Sequence, residues 1–258
     1  MKPVFIDTHC HFDFPPFVEH EEESLSLAAQ SAVDRIIVPA VTCDRFEGIV
    51  QLTQRFPMIY GALGLHPLYI ASHQDEGLDR LQQLLSQNNG KLVAVGEVGL
   101  DEYMDTPQSD RQVWLLLEQL KLANRFELPV ILHSRQTHDK LAKILRQTKQ
   151  VRTGVVHGFS GSLAQAMAFV RLGYAIGVGG VITYERAQKT RQVMAALPLE
   201  ALVLETDAPD MPLAGFQGQP NRPERLTLIF EQLCRLRSEP AEQIARQLYA
   251  NSVALFSL

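Results

Sequence analysis

Residues 4–11 read Val-Phe-Ile-Asp-Thr-His-Cys-His, a short apolar run that passes directly into two histidines. The run has the length and the branched and aromatic residues of a buried β-strand. Side chains two positions apart on an extended chain lie on the same side, so His9 and His11 are expected to face one way and Cys10 the other. The histidine pair can hold a cation from one side, and we expect Cys10 to be a buried, inert thiol.

The same pattern, an apolar run followed by polar residues, recurs along the chain. Strand-like runs occupy residues 4–7, 35–39, 58–63, 92–96, 129–132, 154–156, 174–178 and 202–205. Segments of helical period include residues 108–126, 139–147, 223–237 and 240–256. About eight strand–helix units in 258 residues predict a single α/β domain over residues 1–258, a (β/α)8 barrel of the TIM type with C-terminal helices. An open doubly wound sheet fits less well, because the chain has no glycine-rich nucleotide turn.

Composition restricts the function and the compartment. The net charge is −5, which argues against tight nonspecific binding to DNA but does not exclude local handling of a phosphodiester through metal ions. No apolar run is long enough to span a membrane, and the first residues contain no signal-peptide core. Three cysteines with no short spacing favour a reduced protein. We therefore expect a cytoplasmic protein with no membrane contact and no obligate protein partner.

Titratable residues gather at the ends of the predicted strands. Glu97, His133, His157 and Asp207 each follow or end such a run, as the two histidines near the N-terminus do. The carboxyl ends of the strands of a β/α barrel converge at one mouth, where active sites form. Alone, the two N-terminal histidines are a weak signal, because a pair of partly exposed loop histidines is common. Burying so many imidazoles and carboxylates without a cation would be costly, so the combined pattern predicts a metal site.

Five motifs carry a resemblance to a known family. They are DTHCHFD at residues 7–13, GEVGLD at 96–101, LHSR at 132–135, HGFSGS at 157–162 and LETDAP at 204–209. In this order they resemble the signatures of the TatD family of metal-dependent, deoxyribonuclease-like hydrolases, within the amidohydrolase superfamily. The resemblance covers almost the whole chain, and it implies a distorted β/α barrel, in agreement with the strand count.

The resemblance also implies roles for the titratable residues. His9, His11 and Asp207 would hold one divalent cation, His133 and His157 would hold a second, and Glu97 would bridge the two. Imidazole and carboxylate ligands suit Zn²⁺, Mn²⁺ or Co²⁺, and Mg²⁺ can use the carboxylates, so the pattern does not select the metal. Two such ions can activate a water molecule. Asp207 would be the catalytic residue, acting as general base.

Several neighbouring residues have two interpretations. Glu205 could orient a ligating histidine from outside the coordination sphere, or form a structural ion pair. His66 could contact substrate, or be a turn histidine before a proline. Arg135 could bind a substrate anion, or form a salt bridge with Asp139. Three other histidines in polar contexts are expected to be exposed: His20, His73 and His138.

Two departures from the family pattern concern the substrate. Gly158 stands where the family usually has a cysteine, which is not a ligand position. The loop at residues 214–223 lacks the lysine–arginine step common before Asn221, which weakens the case for a polynucleotide substrate.

Three hypotheses of function follow. The first is a phosphodiesterase-type hydrolase, a deoxyribonuclease that acts on single strands or DNA ends. The second is a hydrolase of an amide, a lactone or a small phosphoester. The third is a non-enzymatic metal-binding protein, which is disfavoured because a structural site does not need an open metal pair.

Overall fold

The strands follow one another around a single sheet. The computed structural model describes residues 3–88 and 90–258, so Met1 and Lys2 of the N-terminal stretch considered above lie outside the described residues. In this part of the chain the sheet has eight parallel strands, which neighbour one another in chain order: β1 (Phe5–Asp7), β2 (Val33–Pro39), β3 (Ile59–Leu63), β4 (Leu92–Asp101), β5 (Val130–Arg135), β6 (Gly154–Val156), β7 (Ala175–Val178) and β8 (Leu202–Leu204).

Helices connect these strands and extend beyond the last one. The same described residues contain nine α-helices: α1 (Glu21–Gln30), α2 (Phe46–Arg55), α3 (Glu76–Ser86), α4 (Ser109–Arg125), α5 (His138–Thr148), α6 (Leu163–Arg171), α7 (Gln188–Ala196), α8 (Leu226–Leu236) and α9 (Ala241–Phe256). None of the helices in residues 3–88 and 90–258 is long and apolar enough to cross a membrane.

The ring closes between β8 and the residues that follow β1. The Thr8 amide donates to the Leu204 carbonyl at 3.0 Å, and the His11 amide donates to the Ala208 carbonyl at 2.7 Å. Cys10 and Ala208 form a parallel bridge. The predicted (β/α)8 barrel with C-terminal helices is therefore confirmed, and each predicted strand overlaps an observed one.

Strands β4 and β5 are longer than predicted. Their predicted ends at residues 96 and 132 are wrong, because parallel pairing resumes after a register shift and continues as far as Asp101 and Arg135. At Gly99, which pairs with His133, an added Cβ would lie 2.0 Å from the His133 carbonyl oxygen. Only glycine permits this close approach, so the polar residues that follow the two apolar runs lie within paired strands.

Two buried glutamines of α4 hold the strand ends in place. The Gln112 side chain accepts from the Asp101 amide and donates to the Asp101 carbonyl, both at 2.8 Å. Gln119 makes the equivalent pair of hydrogen bonds with the backbone of Leu65, at 2.7 and 3.2 Å. A carboxamide can satisfy one donor and one acceptor at once, so each glutamine extends the backbone hydrogen bonding of a strand into the helix.

The barrel interior is apolar at the end away from the predicted site. Ile37, Ala62, Ile131 and Val203, from four different strands, pack together there with Phe256 of α9. Burying this side-chain layer stabilises the barrel. It also forms an apolar floor below the polar mouth.

Candidate metal centre

Six predicted ligands converge at the mouth of the barrel: His9, His11, Glu97, His133, His157 and Asp207. His9 and His11 follow β1, His157 follows β6 and Asp207 follows β8, while the other two lie in β4 and β5. The Nε2 atoms of His9 and His11 are 3.3 Å apart, so the two imidazoles face the same point, as the alternation predicts. The side chain of Asp207 is 19% exposed and that of Glu97 is 2% exposed, so the first lies toward the opening and the second at the bottom.

Glu97 divides the histidines into two sets. Its Oε2 lies 3.2 Å from His9 Nε2 and 3.7 Å from His11 Nε2. Its Oε1 lies 3.0 Å from His133 Nδ1 and 2.6 Å from His157 Nε2. A carboxylate with a separate ligand set around each oxygen has the arrangement needed to bridge two cations.

Asp207 belongs to the first of these sets. Its Oδ1 is 3.5 Å from His9 Nε2 and 3.7 Å from His11 Nε2. The residue has a φ of 58°, in the left-handed region, and its amide donates to the His9 carbonyl at 2.8 Å. A non-glycine residue keeps this unfavourable conformation only where its surroundings enforce it.

Asp7 holds Thr206, the residue before Asp207, and sequence reasoning missed this role. The Thr206 amide donates to Asp7 Oδ1 at 2.9 Å, and the Thr206 hydroxyl donates to Oδ2 at 2.6 Å. Asp7 is fully buried, and burial raises its pKa to about 7 although these hydrogen bonds lower it. Its position two residues before His9 was a signal that could have identified it.

Hydrogen bonds outside the centre fix two of the imidazoles. His11 Nδ1 lies 3.3 Å from the Pro39 carbonyl, and His133 Nε2 lies 2.9 Å from Asp101 Oδ2. A carbonyl or an ionised carboxylate only accepts, so these ring nitrogens carry the hydrogen. In the neutral rings the opposite nitrogen, which faces the centre, then has a free lone pair, as metal ligation requires. Sequence reasoning also missed Asp101, which ends the GEVGLD motif.

The charges of the centre are coupled. Burial alone would lower the pKa of His157, but the Glu97 carboxylate raises it to about 10. Burial would raise the pKa of Glu97, but His157, His66 and His9 hold it well below its usual value. Burial also keeps the pKa of His9 well below normal. The Glu97 carboxylate and the His157 imidazole therefore stabilise each other's charged forms.

The donor set fits divalent cations. The facing nitrogens of His9 and His11 place two potential lone pairs together, and a cation between them would satisfy both. Among the described residues, the buried atoms His9 Nδ1, His157 Nδ1 and Glu205 Oε2 have no hydrogen-bond partner. Imidazoles and carboxylates in a nearly dry cluster are ligands that Zn²⁺, Mn²⁺ and Co²⁺ accept.

His66 is more deeply buried than a residue at the edge of the barrel mouth would be. His66 is 6% exposed, and its Nε2 is 2.8 Å from Glu97 Oε1. The Leu68 amide donates to His66 Nδ1 at 3.0 Å, so Nε2 carries the hydrogen of the neutral ring. Burial lowers the His66 pKa to about 4 despite the nearby Glu97 carboxylate, which keeps the ring neutral near pH 7.

Arg135 and Glu205 occupy different surroundings. Arg135 is exposed, and its guanidinium lies 3.9 Å from the ring centre of Tyr103. The alternative salt bridge to Asp139 does not form, since Asp139 accepts instead from Gln165 at 3.1 Å.

Glu205 is fully buried and accepts from the Gly158 amide at 2.6 Å. Burial raises the pKa of Glu205 to about 7, although His157 opposes this shift.

Two of the three histidines predicted to be exposed are not. His20 is exposed, but His73 is 5% exposed, and its Nε2 lies 2.8 Å from the His66 carbonyl. His138 is half-buried against Phe159, with the ring centres 4.9 Å apart. The predictions for His73 and His138 are wrong because polar sequence neighbours do not reveal contacts with distant residues.

Arginines stacked on aromatic rings surround the mouth, a feature that sequence reasoning missed. The guanidinium-to-ring distances are 3.4 Å for Arg45 on Phe14, 3.9 Å for Arg135 on Tyr103, 5.2 Å for Arg186 on Tyr184 and 4.1 Å for Arg225 on Phe216. These pairs, the arginine–aromatic rim, lie in or beside loops that follow barrel strands, so they share the end of the barrel that carries the centre. Cations therefore surround the mouth despite the missing lysine–arginine step.

Replacing Cys10 with alanine is expected to leave metal content and turnover close to wild type. Cys10 is fully buried, and burial raises the pKa of its thiol well above the usual value, so the reactive thiolate is suppressed. Elemental analysis and a thermal melt of Cys10→Ala test this expectation. A loss of bound metal from a folded variant would make Cys10 a ligand.

Comparison with known proteins finds similarity over almost the whole chain. The sequence model of one family, described as TatD related DNase, matches residues 6–257. The metal-dependent hydrolase YjjV of Escherichia coli (strain K12) is 60% identical over 98% of each chain. Its crystal structure matches with a TM-score of 0.97 over 98% of both chains. A metal-dependent hydrolase of Haemophilus influenzae is 48% identical over 98% of this chain and 99% of its own. A Pantoea protein named 3'-5' ssDNA/RNA exonuclease TatD is 29% identical over 94% of this chain and 95% of its own.

Proposed function

The chain belongs to the TatD-related DNase family and is a metal-dependent hydrolase, and we propose that it hydrolyses phosphodiester bonds in single-stranded DNA or at DNA ends. Residues 1–258 would serve this activity as one domain. The observation that carries the proposal is the division of the histidines between the two oxygens of Glu97. This division supports two cations that share one bridging carboxylate.

Each ion would have its own ligand set. His9, His11 and Asp207 would hold the first, His133 and His157 would hold the second, and Glu97 would join them. Zn²⁺, Mn²⁺, Mg²⁺ and Co²⁺ are all compatible with these donors. When bound, such a pair lowers the pKa of a water molecule and neutralises charge on a phosphoryl group.

The protein groups around the pair would position substrate and move the proton. Asp207 is the most exposed of the six proposed ligand side chains, so it can accept a proton from a water that enters through the mouth. His66 stays neutral with its hydrogen on Nε2. When Glu97 holds the cations, this N–H would be free to donate to a substrate oxygen. Glu97 and His9 are nearly dry, which strengthens electrostatic interactions with the substrate.

The arginine–aromatic rim supports a single-stranded nucleic acid as substrate. Among the described residues, Arg135 and Arg186 are exposed and have no hydrogen-bond or ion-pair partner, so their donors are free for phosphate. Exposed aromatic surface beside arginine also suits unstacked bases, and Tyr103 is 60% exposed. The name of the Pantoea relative, an exonuclease of single-stranded DNA and RNA, agrees with this chemistry.

Replacing both free arginines with glutamine is expected to weaken DNA binding without stopping the chemistry. For Arg135→Gln combined with Arg186→Gln we expect KM to rise about tenfold, with kcat much less affected. The loss of two phosphate contacts should also make binding less dependent on salt. The slope of the logarithm of the binding constant against the logarithm of the salt concentration should become shallower by about 1.4. Arg171→Gln is the matched control, because Arg171 ends α6 at the opposite end of the barrel.

The assay uses oligonucleotides labelled at one terminus, with Mn²⁺, Mg²⁺ or Zn²⁺ supplied separately. We expect weak, metal-dependent cleavage that produces a ladder from one end. If KM and the salt dependence of binding are both unchanged in the double variant, the arginine–aromatic rim does not contact the substrate. Turnover of a small ester or amide without DNA cleavage under any metal would favour the second hypothesis.

A further inference from the structure

Two of the four proposed histidine ligands lack the outer hydrogen bond that normally orients such a ring. His11 has the Pro39 carbonyl and His133 has the Asp101 carboxylate. His9 and His157 turn Nε2 toward Glu97, and their Nδ1 atoms are buried without a partner among the described residues. A metal-ligating histidine almost always donates its second N–H to a carboxylate, a carbonyl or water, so an acceptor for these two rings is needed.

Glu205 has the acceptor oxygen that these rings require. Its Oε1 accepts from the Gly158 amide, while Oε2 is buried and has no partner within the described part of the chain. One nitrogen of His9, one nitrogen of His157 and one carboxylate oxygen of Glu205 all lie within 4.8 Å of one another. A small ring rotation or a single bridging water spans a gap of this size.

The barrel leaves room for this carboxylate beside Gly177. Gly177 lies in β7, beside β8, and an added Cβ there would lie 2.2 Å from Glu205 Oε2 and 2.5 Å from Oε1. The missing side chain at this strand position therefore creates the space that Glu205 fills. The rings of His9 and His157 stack with centres 3.8 Å apart, so one carboxylate can serve both.

We propose that Glu205 is a positioning residue shared by both halves of the metal centre: its Oε2 accepts hydrogen bonds from Nδ1–H of His9 and of His157, directly or through one water. This inference rests on the proposed function, in which His9 belongs to the first ion and His157 to the second. A single carboxylate then sets the orientation of one ligand of each ion, so its loss should weaken both ions together.

The test is metal affinity, measured by competition of the purified, metal-stripped protein with a chromophoric chelator for Zn²⁺ and for Mn²⁺. Glu205→Gln keeps the side-chain size and the bond to Gly158, but it presents an N–H to the two ring N–H groups. We expect both ions to bind about 10- to 100-fold more weakly than in wild type. Asp101→Asn is the matched control: it makes the same charge change beside His133 alone, so only one ion should weaken.

Two further readouts separate positioning from a general loss of structure. In Zn²⁺-loaded wild type, NMR should show slowly exchanging Nδ1–H signals for His9 and His157, and Glu205→Gln should shift both or speed their exchange. Gly177→Ala keeps the Glu205 charge but displaces the carboxylate, so a folded Gly177→Ala protein should show the same loss at both ions. Circular dichroism and thermal melts establish that each variant is folded.

Wild-type affinity for both ions in Glu205→Gln would overturn the inference, and so would weakening of one ion only. A Glu205 oxygen bonded directly to an ion in a metal-loaded crystal structure would make the residue a ligand instead. A wild-type chain that takes up no metal would overturn the proposed function, and this inference with it. Metal uptake and hydrolysis that are both insensitive to Glu205→Gln would leave the proposed function standing and remove only the role of Glu205.

Discussion

Replacing Asp207 with asparagine is expected to lower turnover by about three orders of magnitude or more while the protein stays folded. The residue is proposed both as a ligand of one ion and as the general base, and each role alone has a large effect on rate. Its Oδ1 faces the nitrogens of His9 and His11, and its side chain is the one most open to the mouth. The apolar core is untouched by the change, so the thermal melt should move little.

The control for this variant is Asp210→Asn. Asp210 is an exposed carboxylate three residues away. Burial raises the pKa of Asp207 and the Asp210 charge adds to this shift, but among the described residues Asp210 has no hydrogen bond or ion pair with a proposed ligand. Both variants change the charge by the same amount near the same loop, so only Asp207→Asn should lose activity. Near-normal kcat in Asp207→Asn would show that the base is misassigned.

Replacing Glu97 with glutamine is expected to have the largest effect on metal binding. Glu97 is 1% exposed and faces four proposed ligands, two from each oxygen. Loss of an outer hydrogen bond usually costs 10- to 100-fold in metal affinity. Loss of a carboxylate shared by both ions should therefore exceed about 100-fold for each, and kcat should fall by about 10⁴.

Glu102→Gln is the matched control for this prediction. Glu102 directly follows β4 but forms an exposed ion pair with Lys140 at 2.8 Å, away from the histidines. Metal titrations of the two stripped variants, in parallel with wild type, measure the difference. Retention of both ions by Glu97→Gln with wild-type affinity would exclude a bridging role for Glu97.

The barrel and the six-residue cluster could be predicted from local patterns. Apolar runs mark the strands, and the parallel topology brings their carboxyl ends together without knowledge of any side-chain contact. His9 and His11 could be assigned to one face because extended chain alternates with a period of two. Their proposed roles as ligands came from the family resemblance and stay a prediction.

The features that sequence reasoning missed depend on contacts between distant residues. His133 and Asp101 are 32 residues apart, and their hydrogen bond requires β4 and β5 to extend together beyond the apolar runs. The burial of His73 depends on the fold of its own loop, which brings the ring to the His66 carbonyl seven residues earlier, and on α4, whose Arg111 donates to the His73 carbonyl. Arg186 gave no signal of its own, because its place at the mouth follows from the barrel. Its sequence neighbour Glu185 could have paired with it, but no ion pair forms between them among the described residues.

The most direct test of the central claim is the metal stoichiometry of the wild-type protein. Untagged protein is stripped with a chelator, reconstituted separately with Zn²⁺, Mn²⁺, Mg²⁺ or Co²⁺, freed of excess ions and analysed by elemental analysis. The division of the ligands by Glu97 predicts two ions per chain with at least one of these metals, and DNA hydrolysis that returns only in the loaded protein. A reconstituted, folded protein that binds no ion, or that hydrolyses DNA equally well after stripping, would contradict the account.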